Sequence, residues 1–294
     1  MRYRVSHVTR YHYGEPVDLA AHLLHLTPRA LPGQTVLDAA LAVDPPPGRS
    51  VAGTDHFGNA ATWLFLAEPH AGFAVTLTAA VEVAFPAPPP AAATPPWEQV
   101  RDCAARGGAA CWQAAEFVFG TAMAPAEPAV GAYAAPSFPP GRPVLAALLE
   151  LNARIRRDFS FRAGVTTLST PVTQVLASRA GVCQDFAHLM IAGLRALGLP
   201  ARYVSGYIRT RPRPGEAKRR GADQSHAWVG CWLGPAQGWV DLDPTNGLVV
   251  QDEHVVLGWG RDYADVSPVR GVILGGGRHG LSVSVDLDPV EEAG

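Results

Sequence analysis

The fold of this chain is decided by the segment 181–188, which reads Gly181-Val182-Cys183-Gln184-Asp185-Phe186-Ala187-His188. From Val182 to Leu197, apolar residues recur at steps of three and four, which predicts a helix that ends at Gly198. Cys183 then lies in the first turn of this helix. Unpaired backbone N–H groups and the positive end of the helix dipole favour a negatively charged group there. The segment therefore places a cysteine where an anion is stabilised.

Two further segments place a histidine and two aspartates on neighbouring strands. The run from His226 to Leu233 is aromatic and β-branched, and the run from Gly238 to Asp243 follows it after a short connection. This pattern predicts a hairpin, in which opposed side chains lie about 5 Å apart. Asp241 and Asp243 share one face because side chains alternate along a strand. Either carboxylate could therefore hydrogen-bond the imidazole of His226.

A thiol, an imidazole and a carboxylate are the parts of an activated sulfur nucleophile. The thiolate attacks, the imidazole transfers the proton, and the carboxylate orients the imidazole and supports its positive charge. The competing interpretation of Cys183 is a buried structural cysteine. That is the role we predict for the other cysteines, which are Cys103, Cys111 and Cys231. At Cys183 the surrounding pattern favours nucleophilic catalysis.

The three segments resemble the signatures of the bacterial branch of the transglutaminase-like superfamily, relatives of the papain-type cysteine proteases. Its members carry the nucleophile in a G-x-C-x-D-x-A pattern, the histidine in [ST]-H-A-W and the aspartate in W-x-x-x-D-P-T. The matching residues here are Cys183, His226 and Asp243. The resemblance implies an α+β fold in which a nucleophile helix packs on an antiparallel sheet. It also implies a bacterial cysteine hydrolase or acyltransferase that works through a thioester, and it makes Asp241 the second choice of carboxylate.

The N-terminal part of the chain alternates like a set of strands, most clearly from Val75 to Val83. The segments 9–13 and 55–59 resemble the β-rich region that precedes the core in bacterial members of the superfamily. Near the C-terminus, the alternating run 281–287 predicts a strand that could join either sheet. Three segments are therefore expected. They are a β-rich N-terminal domain over 1–85, a Pro/Ala-rich linker over 86–96, and a transglutaminase-like catalytic domain with a C-terminal strand extension over 97–294.

Within the last segment, the patterns over 97–105 and 143–159 predict helices. The stretch 122–140 is rich in Ala and Pro and is expected to be irregular. Basic residues interleaved with Pro and Gly fill the run 209–220, which favours a solvated loop. A substrate-facing role is the alternative for this loop, because it leads directly to His226.

The chain has 294 residues and a formal net charge of −2, with the composition of an ordinary globular protein. This charge argues against nucleic acid or an anionic membrane as a partner. No apolar run approaches the length of a membrane span, and the N-terminus goes straight into strand-like sequence. The 4 cysteines lack the spacing of a disulfide framework, which fits a reducing interior. We expect a cytoplasmic protein that needs no cofactor and acts on a peptide or protein amide.

The donors that would stabilise an oxyanion are the least constrained part of the expected site. The thioester route needs a donor aimed at the developing negative oxygen, and the backbone N–H of Cys183 is one candidate. The amide of Gln184 is the best side-chain candidate by residue type. Trp228 is the next, although we expect it to face away from His226 and into the core.

Zinc binding is the main competing interpretation of the site. Structural zinc sites bring paired ligands about two to four residues apart, and no cysteine pair has this spacing. We therefore expect no metal, and we interpret His188 as a polar core residue. The residues that could converge on zinc are Cys183, His188, His226 and Cys231.

Three functions are compatible with these residues. Hydrolysis of an amide by a peptidase or amidase is the preferred one, and transfer of the acyl group to an amine, as in a true transglutaminase, is the first alternative. The second alternative is a catalytically silent protein that uses the cleft or the β-rich domain for binding. The presence of thiol, imidazole and carboxylate together favours an enzyme over the silent protein.

Overall fold

The structure, a computed structural model, describes residues 1–109, 111–210 and 223–290. The basic run 209–220 falls almost entirely outside these residues. Its predicted role, a solvated loop or a substrate-facing one, therefore lies outside the described structure as well. Within the described part, two large antiparallel sheets and a helical layer confirm the expected α+β fold. The strands, in chain order, are β1 (Arg2–Leu24), β2 (Gln34–Asp44), β3 (Arg49–Thr54), β4 (Ala60–Leu66), β5 (His70–Val83), β6 (Ser160–Phe161), β7 (Ala180–Gly181), β8 (Ala201–Ile208), β9 (Gln224–Trp232), β10 (Trp239–Asp243), β11 (Leu248–Val249), β12 (His254–Gly260), β13 (Val269–Gly275) and β14 (His279–Pro289).

The helices follow the first group of strands along the chain. The two that the sequence predicts over 97–105 and 143–159 are confirmed. Among the described residues, no helix combines the length and the apolar character needed to cross a membrane. The helices are α1 (Trp97–Arg106), α2 (Trp112–Ala115), α3 (Pro128–Ala134), α4 (Val144–Asp158), α5 (Val172–Ser178) and α6 (Cys183–Ala196).

The prediction of irregular structure over 122–140 is wrong because this stretch contains α3. Pro128 is compatible with the helix, since the first turn needs no backbone N–H donor at that position. Small residues then let α3 approach α6 closely: a Cβ at Gly131 would lie 2.7 Å from that of Ala196. The alanine and glycine content of the segment therefore reflects tight helix packing.

Strand β1 is the centre of the N-terminal sheet because it pairs with four other strands. Its first half lies between β5 and β14, and its second half lies between β4 and β13. The outer strands β2 and β3 pair with β5 and β4. The strand predicted over 281–287 is β14, and it joins the N-terminal sheet, which is one of the two positions that the sequence left open. Strand β13 pairs with β1 in the same sheet. The division of the chain at 86–96 stays a prediction.

The second sheet has the strand order β11-β10-β9-β8-β12, and α6 packs against β8 and β9. Apolar residues of α6, such as Phe186 and Leu189, are buried in the main core. Arg195 of the same helix is also buried, and its guanidinium donates hydrogen bonds to four backbone carbonyls. The carbonyls are those of Phe117, Ala124, Ala201 and Arg261.

The segment 55–59 joins the two sheets. Asp55 Oδ1 accepts the backbone N–H groups of Phe57 and Asn59, which forms a tight turn. The Asn59 side chain then pairs with the backbone of Trp259 on β12, donating to its carbonyl at 2.7 Å and accepting its N–H at 2.9 Å. A Cβ at Gly258 would lie 2.7 Å from the Asn59 amide, so this close approach requires glycine. The N-terminal sheet is therefore anchored to the sheet that holds the candidate site.

Candidate active site

Cys183 is the first residue of α6. The preceding Val182 donates its backbone N–H to the Asp185 carboxylate at 2.7 Å, and this contact closes the first turn of the helix. A Cβ at Gly181 would lie 2.6 Å from the same carboxylate, so the turn requires glycine there. The Cys183 side chain is half-buried and lines a cavity of about 500 Å³. The thiol is thus held in a fixed turn and can be reached from solvent.

His226 lies on β9 and lines the same cavity as Cys183. Its Nε2 lies 2.7 Å from Oδ2 of Asp243, the last residue of β10. Burial disfavours the charged form of His226, but hydrogen bonds with Asp243 and Cys183 outweigh it and raise the pKa of His226 to about 10. Because Nε2 contacts the carboxylate, Nδ1 is the ring nitrogen left for the thiol. The structure therefore brings the three predicted residues together.

Asp243 is fully buried, and the turn that follows it holds its carboxylate in place. Oδ1 accepts the backbone N–H groups of Thr245 and Asn246 at 2.9 and 3.2 Å, and Oδ2 accepts the side-chain amide of Asn246 at 2.7 Å. Burial alone would raise the pKa of Asp243, but hydrogen bonds from His226 and His254 hold it well below its usual range. Asp243 is therefore a fixed negative charge beside the imidazole at neutral pH.

His254 is a residue of the site that the sequence analysis missed. It begins β12, is buried, and has its Nε2 3.3 Å from Asp243 Oδ2. Its ring packs edge-on against Trp228, with 5.1 Å between the ring centroids. Because β12 lies beyond the three signature segments and reads only as an apolar strand, no local pattern marks this histidine. Asp243 thus lies between two imidazoles.

Asp241 has different partners, although it shares a strand face with Asp243. Its Oδ2 accepts the indole N–H of Trp228 at 2.9 Å, and its Oδ1 lies 3.6 Å from the Arg202 guanidinium. That guanidinium also stacks on two indole rings, 4.5 Å from the centroid of Trp239 and 3.8 Å from that of Trp259. Asp241 therefore balances a buried cation, and Asp243 is the carboxylate that contacts His226.

The two side chains predicted as oxyanion donors are placed differently. Gln184 lines the cavity beside Cys183, and its role stays a prediction. Trp228 is fully buried and donates its single N–H to Asp241, which excludes it as an oxyanion donor. The expectation that Trp228 faces away from His226 is wrong, because residues two apart on a strand share a face. Their ring centroids lie 6.0 Å apart.

Two of the remaining cysteines are joined: Cys103 and Cys111 form a disulfide across a sequence separation of 8 residues. This disulfide does not fit the reducing interior that was inferred from the cysteine spacing. One short loop has none of the repeated spacing by which a disulfide framework is recognised. Disulfides persist mainly in oxidising compartments. The cysteine argument for a cytoplasmic location is therefore lost, and that location stays a prediction. Cys231 is buried, and burial raises the pKa of its thiol above the usual range.

The described residues offer one set of potential metal ligands at the site: His226, Asp243 and His254, whose ligand atoms lie within 4.8 Å of one another. All three are buried, and these atoms hydrogen-bond each other. His188, a member of the zinc set considered from the sequence, accepts the backbone N–H of Tyr263 through Nε2 at 3.2 Å. Burial lowers the pKa of His188 to about 4, so its imidazole is neutral.

Comparison with known proteins assigns the chain to a family. Residues 3–82 match the bacterial transglutaminase-like N-terminal region, and residues 133–244 match the transglutaminase-like superfamily. The chain is 41% identical over 297 residues to an uncharacterized protein of Mycobacterium tuberculosis, covering 99% of this chain and 93% of that protein. The chain belongs to the transglutaminase-like superfamily and carries the N-terminal region of its bacterial members.

A solved structure and a named enzyme are also similar to this chain. A candidate cysteine protease of Cytophaga hutchinsonii superposes with a TM-score of 0.75 at 21% identity, covering 100% of this chain and 92% of that one. This match confirms the fold. A protein-glutamine gamma-glutamyltransferase of Pseudomonas aeruginosa is 33% identical over 135 residues, which is 41% of this chain and 20% of that protein.

Proposed function

We propose that this protein performs cysteine-dependent amide chemistry through a thioester acyl-enzyme. The observation that carries the proposal is the contact of His226 with both Asp243 and Cys183 beside a cavity. A pKa of about 10 keeps His226 protonated at neutral pH, so that it can pair with the Cys183 thiolate. Membership of the transglutaminase-like superfamily supports the same chemistry.

In the first half of the proposed reaction, the Cys183 thiolate attacks the carbonyl carbon of the substrate amide. The resulting oxyanion lies near the start of α6, where the backbone N–H of Cys183 is a donor without an intrahelical partner. The C–N bond then breaks, and the His226 imidazolium gives its proton to the leaving nitrogen. The products of this half are a free amine, a thioester on Cys183 and a neutral His226.

In the second half, the neutral His226 takes a proton from the attacking group. If that group is water, the thioester is hydrolysed to a carboxylic acid and the thiolate is restored. Asp243 stays ionised throughout and supports the imidazolium in both halves, since hydrogen bonds keep its pKa well below the usual range. Hydrolysis is the outcome that we propose first, because the half-buried Cys183 can be reached by water.

Amine transfer is the second candidate. The Pseudomonas aeruginosa protein that is 33% identical over 135 residues is named as a transferase, a protein-glutamine gamma-glutamyltransferase. In that reaction a primary amine attacks the thioester in place of water, and the same residues handle the proton. Hydrolysis and transfer differ in whether water or an amine attacks the thioester. The product formed from the acyl group must therefore be identified to distinguish them.

An activated ester tests the proposal without knowledge of the natural substrate. We expect p-nitrophenyl acetate to release a stoichiometric burst of nitrophenol and to leave an acetyl group on Cys183, located by peptide mapping. The burst should disappear in Cys183→Ala and persist in Cys231→Ala, which removes the other free cysteine. If the acetyl group is found on another residue, or if neither a burst nor steady nitrophenol release depends on Cys183, the protein is the catalytically silent binder.

The fate of the acetyl group then separates hydrolysis from transfer. Deacylation is followed with and without a primary amine such as cadaverine. For a hydrolase, deacylation proceeds in buffer alone, and the amine changes its rate by less than about twofold. Acceleration in proportion to the amine concentration, with acetylated amine as the main product, would instead establish transfer as the function.

A further inference from the structure

The cavity beside Cys183 has walls from both sheets. One wall comes from the catalytic core and includes Cys183, Gln184 and His226. Another part of the wall comes from the N-terminal sheet, where strands β1 and β14 pair in antiparallel register. A substrate that fills this cavity therefore contacts both Cys183 and residues of β1 and β14.

The wall formed by β1 and β14 is a regular ladder of side chains. The residues that line the cavity alternate along each strand and form directly opposed pairs. The solvent-exposed fraction of the residues on β14 increases toward the start of the strand, from 2% at Val285 to 50% at Val283 and 57% at Leu281. The pairs are His7 with Val285, Thr9 with Val283, and Tyr11 with Leu281. The ladder thus runs from a buried floor to an apolar mouth that is open to solvent.

The charges that the structure describes around this cavity are already engaged. The carboxylate of Asp223 accepts hydrogen bonds from Thr210 and from the backbone N–H of Leu287 at 2.6–2.7 Å. His7 hydrogen-bonds Tyr207 and Thr9, and burial lowers its pKa to about 4, so it is neutral. His226 is paired with Asp243. A charged substrate group would therefore lose its hydration against this wall without gaining a partner among these residues.

We propose that Leu281 and Val283, with Tyr11, form an apolar subsite that selects acyl donors with an uncharged aliphatic or aromatic side chain beside the reacting amide. This inference rests on the proposed function. Leu281 and Val283 are exposed apolar side chains on one face of β14 and line the same cavity as Cys183. Such side chains lose most water contact when they cover an apolar substrate side chain. The N-terminal sheet then sets substrate preference, and the catalytic core performs the chemistry.

Matched electrophiles test the subsite. Two peptidyl chloromethyl ketones that differ only in a leucyl or an aspartyl side chain alkylate the Cys183 thiolate, which forms a C–S bond and releases chloride. We expect the leucyl probe to react at least roughly tenfold faster than the aspartyl probe, a typical discrimination by an apolar pocket. Iodoacetamide, which has no side chain to bind, reports the reactivity of the thiol alone.

The variants Leu281→Gln and Leu281→Arg change the subsite without touching the proposed triad. The first should bring the two rates closer together, and the second should favour the aspartyl probe. The matched control is Leu274→Gln, because Leu274 is a leucine of similar exposure, 63%, on β13 and lies outside the cavity lining. It should leave both rates unchanged.

The outcomes separate the subsite from the proposed function. Slow iodoacetamide labelling of Cys183 in the wild type would overturn the proposed function. Fast labelling combined with equal rates for the two peptidyl probes, or a preference that Leu281→Gln and Leu281→Arg leave unchanged, would overturn the subsite alone.

Discussion

Two carboxylates on strand β10 share a residue type, a strand and a face, yet they have different neighbours. Asp241 contacts Trp228 and Arg202, and the Arg202 guanidinium lies between indole rings. Asp243 contacts His226, His254 and the turn that follows it. This difference shows that the role of each carboxylate is determined by residues from other parts of the chain. Asp241 holds a buried cation, whereas Asp243 holds an imidazole that faces the thiol.

The sharpest test of this comparison is the removal of each charge in turn. We expect Asp243→Asn to slow acylation of Cys183 by p-nitrophenyl acetate on the order of 10³–10⁴-fold, as in other enzymes in which an aspartate orients the catalytic histidine. The reason is that the neutral amide neither supports the imidazolium nor fixes its orientation. Burst kinetics measure the rate, and circular dichroism checks that the fold is retained. A larger loss in Asp241→Asn than in Asp243→Asn would reverse the assignment.

The second test follows the protonation of His226 directly. NMR titration of its ring protons should show a pKa of about 10 in the wild type and in Asp241→Asn. In Asp243→Asn it should fall toward the ordinary value of histidine. Because the pKa is raised on folding, His226 stabilises the fold at low and neutral pH, and this contribution is lost as the pH rises through about 10. A wild-type value near that of free histidine would contradict the proposed ion pair.

The third test concerns the stability that Asp241 provides. Asp241→Asn keeps an oxygen for the Trp228 N–H but leaves the buried Arg202 without its counter-charge. We expect the free energy of unfolding in urea to fall by about 1–3 kcal/mol, with acylation of Cys183 slowed less than about threefold. An unchanged free energy of unfolding would show that the Trp239 and Trp259 rings alone are enough to stabilise the buried charge of Arg202.

The smallest expected effect is that of His254, which we interpret as a positioning residue for Asp243. His254→Phe removes the hydrogen bond at 3.3 Å and keeps a ring of similar size. We expect acylation to slow by roughly three- to tenfold, the equivalent of one hydrogen bond of about 1 kcal/mol. His254→Gln, which keeps an N–H donor, should restore part of the rate. Equal acylation rates in the wild type and both variants would show that His254 does not position Asp243.

Local sequence patterns predicted those parts of the molecule that depend on neighbours in the chain. The start of α6 at Cys183 and the strands that carry His226 and Asp243 follow from periodicity and from the residues that end each element. The family resemblance added the choice of Asp243 over Asp241, which local spacing left open.

Contacts between distant segments could not be predicted in this way. The edge-on packing of His254 against Trp228, the return of β13 and β14 to β1, and the close approach of α3 to α6 depend on pairings across long stretches of chain. The Cys103–Cys111 disulfide was missed because one short loop has no framework spacing. The cavity wall from the N-terminal sheet could not be predicted either, because it depends on the long-range pairing of β14 with β1.

The most direct test of the central claim is the reactivity of Cys183 itself. At about pH 6, where an ordinary thiol is protonated, iodoacetamide should label Cys183 rapidly because the His226 imidazolium stabilises its thiolate. Peptide mapping should find Cys231 unlabelled in the folded protein, since that thiol is buried. His226→Asn should slow the labelling of Cys183 by on the order of 10²-fold. Labelling of Cys183 at the rate of free cysteine, unchanged in His226→Asn, would contradict an activated nucleophile at this site.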